Sequence, residues 1–124
     1  MLRIILLGAV TVIAWDAVAS LLLSFFDASL IWMFVGQVLV YCGTGVAAGG
    51  LGGFSAGARC GAAVAALDAT FGWGLTWLIG TGRVSELTVA NVTLVLVAMV
   101  TVGAIAGGSG ALLRRFSTRT RVAS

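Results

Sequence analysis

Four long apolar runs, separated by short polar breaks, make up nearly the whole chain. They cover about residues 3–26, 30–53, 57–80 and 89–113. Each has the roughly 20 residues that a helix needs to cross about 30 Å of hydrocarbon at about 1.5 Å per residue. The pattern predicts an all-α integral membrane protein, a four-helix bundle forming one transmembrane domain over residues 1–124, with a basic cytoplasmic tail at 114–124. The first run is longer than the apolar core of a signal peptide and no small-x-small cleavage site closes it, so it is read as a span.

Two positions break the apolar pattern from inside. Asp16 and Asp68 each lie within a run, with no basic residue near them in sequence. A charged carboxylate at mid-bilayer costs at least about 2.5 kcal/mol unless it is paired, protonated or wetted. Helical spacing places Asp16 in line with Ser20 and Ser24. It places Asp68 in line with Gly61, Ala65, Gly72 and Thr76, and Gln37 in line with Tyr41, Thr44 and Ala48. Three predicted helices thus each offer a polar or small stripe, and two stripes carry an acid. Asp16, Asp68, Gln37, Tyr41, Ser20 and Thr76 form a candidate polar path or cation/proton site. The same residues admit a structural reading, in which each acid is neutral and bonds a neighbouring helix for about 0.6 kcal/mol. Both readings stay open at this point. Trp15 and Trp73 lie beside the acids, either lining an aromatic cation site or packing. Trp32 and Trp77 read as anchors at the outer interface.

Small residues recur at the same helical spacing. Gly45, Gly49 and Gly53 form one row, Gly103, Gly107 and Ala111 another, and Gly57 and Gly61 begin a third. Such rows let backbones approach closely and predict helix packing. A phosphate loop at residues 49–53 is excluded, because no Lys-Ser/Thr pair follows and no strand precedes it. The rows also suggest a duplication. Residues 45–52 (GVAAGGLG) match residues 103–110 (GAIAGGSG) at five of eight positions, and Trp15-Asp16-Ala17 echoes Leu67-Asp68-Ala69. Helices 1 and 2 then repeat as helices 3 and 4, in the same orientation, about an axis along the membrane normal.

Composition supports the membrane class. The chain is 60% hydrophobic and 9% charged, against roughly 25% charged in a soluble domain. Histidine is absent, which removes the usual ligand of haem and zinc. No Ser–His, Cys–His or metal-ligand set is present, so neither enzymatic activity, a cofactor nor a metal is expected. Cys42 and Cys60 read as small packing residues rather than a disulfide. All seven basic residues are arginine. With four spans, Arg3, Arg59 and Arg114, Arg115, Arg119 and Arg121 fall on one side, opposite Arg83, Asp27 and Glu86. The positive-inside rule puts both termini in the cytoplasm of a multi-pass plasma (inner) membrane protein. Arg114, Arg115, Arg119 and Arg121 are expected against anionic lipid headgroups; no nucleic-acid partner is expected.

Residues 52–61 (GGFSAGARCG), the Ala/Gly-rich stretch to Leu75, and the closing run 103–111 (GAIAGGSGA) resemble a group of small four-helix bacterial membrane proteins of unknown function with glycine-rich hairpin repeats. That resemblance implies topology only. The size and the acid in the first span are also similar to small multidrug resistance transporters. Gly52-Gly53-Phe54-Ser55 faintly resembles the helix break of fluoride channels, without its Thr pair. The expected function is a small proton- or cation-linked transporter or channel acting as a homo-oligomer. The alternative is a non-catalytic subunit or assembly factor that packs against a larger membrane protein complex.

Overall fold

The computed structural model describes residues 1–26, 30–72, 74, 75, 78 and 88–122, with the side chains at 26, 30 and 119–122 left aside. Among the described residues there is no strand; three helices carry the fold. Helix α1 spans Leu2–Phe26, α2 spans Leu30–Leu67, and α3 spans Val89–Val122. A π-helical turn, Asp68–Gly72, continues α2. All three helices are long and apolar enough to cross a membrane.

The expectation of four helices is corrected to three. The predicted second and third spans are one helix folded in two, with no loop at 54–56 between them. The fold-back lies at Gly52 and Gly53, the non-helical residues inside α2. Gly53 has φ +65° and ψ −146°, a conformation open to glycine and strained for any residue with a Cβ. Contacts on α3 show the reversal. Cβ atoms built on Gly45 and on Gly57 would both meet the carbonyl oxygen of Gly107, although a straight helix would hold these glycines about 18 Å apart. Residues 30–51 and 54–67 are therefore two arms lying side by side. Predicted span three also reaches residues 73, 76, 77, 79 and 80, which lie outside the described residues. The last helix runs nine residues past the predicted end at 113, so residues 114–122 are helical too.

Glycine sets the closeness of the packing. Gly107 wedges α3 between the arms, and its own Cβ would meet Gly57 O and lie 2.9 Å from Gly61 Cα. A Cβ on Gly49 would lie 2.9 Å from Ala111 Cα, and Gly103 and Gly61 face one another. Backbones this close gain dispersion and Cα–H···O contacts that larger side chains would prevent. Helix α1 packs on the first arm in antiparallel fashion, with Gly8 against Thr44 and Trp15 over Gly36. The Trp15 indole donates to Met33 O at 3.0 Å, which makes this tryptophan a packing residue. Val12, Tyr41, Val64, Ala65 and Ala106 form the buried core where α1, both arms and α3 meet. Cys42 and Cys60 are free thiols.

Candidate functional site

The two acids meet just beyond this core. Asp16 and Asp68 are each 1% exposed. Asp16 comes from the middle of α1, and Asp68 opens the π turn at the end of α2. The antiparallel pairing of α1 with the first arm sets Gln37 beside Asp16, and Gln37 Nε2 donates to Asp16 Oδ1 at 3.0 Å. One turn further along the same arm, the Tyr41 hydroxyl donates to Asp68 Oδ2. The fold-back at Gly52–Gly53 makes this second bond possible, since the two residues are 27 apart in sequence.

The remaining carboxyl oxygens face each other. A Cβ on Gly72 would collide with Asp68 Oδ1 and lie 2.5 Å from Asp16 Oδ2, so both oxygens occupy the space that Gly72 leaves open. The two carboxyls are thus near neighbours across the Gly72 backbone. The π turn sets this geometry. Its extra residue per turn rotates Asp68 and Gly72 relative to the helix before them. The Thr70 hydroxyl donates to Ala66 O and Leu67 O, both at 3.0 Å, and satisfies carbonyls at the distorted junction.

Two oxygens in this layer are orphaned. Asp68 Oδ1 and Ser20 Oγ are buried and have no hydrogen-bond partner among the described residues. Ser20 stands one turn from Asp16 on the same buried face of α1. An unsatisfied buried polar atom costs about 1–3 kcal/mol, and more when it is charged. Along the helices that carry the acids, the described basic residues sit far off: Arg3 is roughly three and a half turns from Asp16 on α1, and Arg59 roughly two and a half turns from Asp68 on α2. The arrangement is a layer of acceptor oxygens in which two carboxyls border the space left by Gly72. It can hold a proton or a small cation.

Comparison with protein-family models, with curated proteins and with solved structures finds no match.

Of the residues singled out for the site, the fold brings Asp16, Asp68, Gln37, Tyr41 and Ser20 into one layer. Thr76 and Trp73 lie outside the described residues. Gly45, Gly49, Gly57, Gly61, Gly103 and Gly107 all stand at helix contacts, and Gly53 makes the fold-back. Arg114 and Arg115 lie against α2. Arg114 Nη1 donates to Val46 O at 3.2 Å and Ala47 O at 3.3 Å, and a Cβ on Gly53 would lie 2.5 Å from Arg115 Nη2. The side chains of Arg119 and Arg121 are not among those described. Gly72 is a site residue that sequence reasoning placed on the right face without giving it a role. The signal was there: a residue without a side chain, one turn after a buried acid.

Proposed function

We propose that this chain is a small plasma-membrane transporter or channel that carries protons or a small monovalent cation through the Asp16–Asp68 layer. The observation behind this is the orphaned Asp68 Oδ1, which faces Asp16 Oδ2 in a buried layer with no counter-charge among the described residues. Acids kept only for helix pairing would have their oxygens satisfied by the neighbouring helices. Here Gln37 and Tyr41 satisfy one oxygen of each acid and leave the facing oxygens to each other. A proton or cation between them removes the repulsion of two like charges and supplies the missing partner. Ser20 offers a further oxygen one turn away. Behind the layer, Val12, Tyr41 and Val64 form a dry plug, so passage requires α1 and α2 to shift against each other.

The topology that goes with this function is four crossings by three helices, since the first arm and the second arm with its π turn, 54–72, each come close to the roughly 20 residues that a crossing needs. The α1–first arm and second arm–α3 hairpins are then parallel repeats, and both termini face the cytoplasm. A homo-oligomer fits a bundle too small to enclose a wide pore. A second reading, a subunit within a larger membrane complex, is favoured by the exposed start of α3, where Val89, Val92, Leu94 and Val97 have little protein around them.

Flux in liposomes separates the two. Purified protein should dissipate an imposed proton or sodium gradient, and Asp16→Asn and Asp68→Asn should each abolish this while leaving the helical signal and detergent stability intact. Asn keeps the size and most of the hydrogen bonding but cannot ionise. Full flux through the double Asn variant rejects the pathway. Absence of wild-type flux, with co-purification of a larger complex, supports the subunit reading.

A further inference from the structure

A groove of about 280 Å³ runs between α1 and the first arm of α2, on the side away from α3. Its walls include Ile4, Leu7, Gly8, Val40, Gly43 and Ala47. Two hydroxyls also line it, but both are committed to their own helices: Thr11 Oγ1 donates to Leu7 O and Thr44 Oγ1 to Val40 O, each at 2.8 Å. The groove therefore presents an apolar face. Gly43 forms part of its floor, and a Cβ there would meet nothing within 4 Å. This sets Gly43 apart from Gly45, Gly49, Gly57 and Gly61, which are filled by α3.

One mouth of the groove is cationic. The Arg114 guanidinium lies over Gly50, one turn beyond the Gly43–Ala47 row, and is pinned there by the carbonyls of Val46 and Ala47. Arg3 is exposed, one turn before Leu7 on α1. Since Gly8 faces Thr44 and Trp15 faces Gly36, the antiparallel register brings Arg3 level with Ala48 and Gly49, within a turn of Gly50. Both arginines thus stand at the same end of the groove, while Trp15 over Gly36 closes the other.

We propose that this groove seats one acyl chain of an anionic phospholipid whose phosphate is held between Arg3 and Arg114. The shape takes an apolar tail, and the charge at one mouth selects an anionic head. Arg114 is already ordered by two protein carbonyls, so little side-chain freedom is lost when the phosphate binds. The proposal rests on the membrane-spanning reading but is independent of the acid layer, so a failed flux assay leaves it standing.

Native mass spectrometry of the full chain in detergent tests it, with phosphatidylglycerol and phosphatidylcholine of identical acyl chains as probes. One phosphatidylglycerol should be retained, with a preference of about fivefold for each arginine that contacts the head. Gly43→Phe, whose Cβ would meet nothing within 4 Å, puts its ring into the groove and should lower retention at least about tenfold at an unchanged melting temperature. Ala47→Leu fills it from a second position and should act in the same direction. Arg3→Gln should reduce the preference over phosphatidylcholine by about fivefold while tail binding persists. Wild-type retention by both filling variants, or equal retention of the two lipids by the native chain, overturns the proposal. Disulfide-linked dimers of Gly43→Cys in membranes, in a background without Cys42 and Cys60, also overturn it and give the groove to a second copy. Recovery of the chain in the soluble fraction would overturn the membrane reading, and this proposal with it.

Discussion

Gly107→Ala and Gly43→Ala make the same chemical change in opposite surroundings, and the difference between them measures the glycine wedge. Both residues lie inside helices, where alanine is favoured over glycine by about 0.5–1 kcal/mol. At Gly43 the new methyl meets nothing within 4 Å, so the propensity gain should appear almost unopposed. At Gly107 the methyl would strike Gly57 O and lie 2.9 Å from Gly61 Cα and 3.1 Å from Gly61 N. These are backbone atoms and cannot rotate away, so α3 and the second arm must separate. A gap of about 0.5–1 Å forfeits roughly a quarter to a half of each dispersion contact along the seam. Overpacking of this kind costs about 1–3 kcal/mol, which exceeds the propensity gain. Gly107→Ala should therefore destabilise by about 1–2 kcal/mol, Gly43→Ala should stabilise by up to about 1 kcal/mol, and the two should differ by roughly 2–3 kcal/mol. Reversible unfolding in mixed micelles, followed by circular dichroism, gives both values. Equal stabilities, or a Gly107→Ala variant as stable as the native chain, would refute the interlocked packing of α2 and α3.

Gly53→Ala should lower stability by about 1–3 kcal/mol, because φ +65° with ψ −146° is a strained conformation for alanine and the new Cβ meets Arg115; the same unfolding assay checks it, and native stability would mean that the fold-back does not depend on this conformation. Tyr41→Phe removes the donor to Asp68 Oδ2 at almost unchanged bulk and should destabilise by about 1–3 kcal/mol; a Phe variant as stable as the native chain would show that the Asp68 carboxyl draws its satisfaction from elsewhere.

The helical class was legible in the sequence because it follows from periodicity along a single segment. Apolar runs of spanning length announce helices, and the spacing of Gln37 from Tyr41 puts both on one face. Asp16 and Asp68 entered one candidate site from their places inside apolar runs; in the fold both carboxyls border the space left by Gly72. The helix count was not legible. Residues 54–56, with their serine, read as a loop, yet two glycines suffice to reverse the chain when one adopts a positive φ. The π turn and the bond from Trp15 to Met33 O depend on the register between segments, which no single segment encodes. Arg114 and Arg115 read as lipid-facing by composition alone. Their places over Gly50 and Gly53 follow from where α3 is wedged.

The partners in the acid layer also arrive in a useful order during synthesis. A growing chain emerges from its N-terminus, so on the membrane-spanning reading α1 carries Asp16 into the bilayer first. The next segment to follow is the first arm, which brings Gln37 to that acid and holds Tyr41 in readiness. Asp68 then enters against a hydroxyl already in place. Neither carboxyl has to wait for α3, which donates no side-chain hydrogen bond to Asp16 or Asp68 among the described residues. Helix α3 can dock last, sliding its glycine seam between two arms whose buried acids have already found company, so the hardest residues to insert are sheltered before the bundle closes.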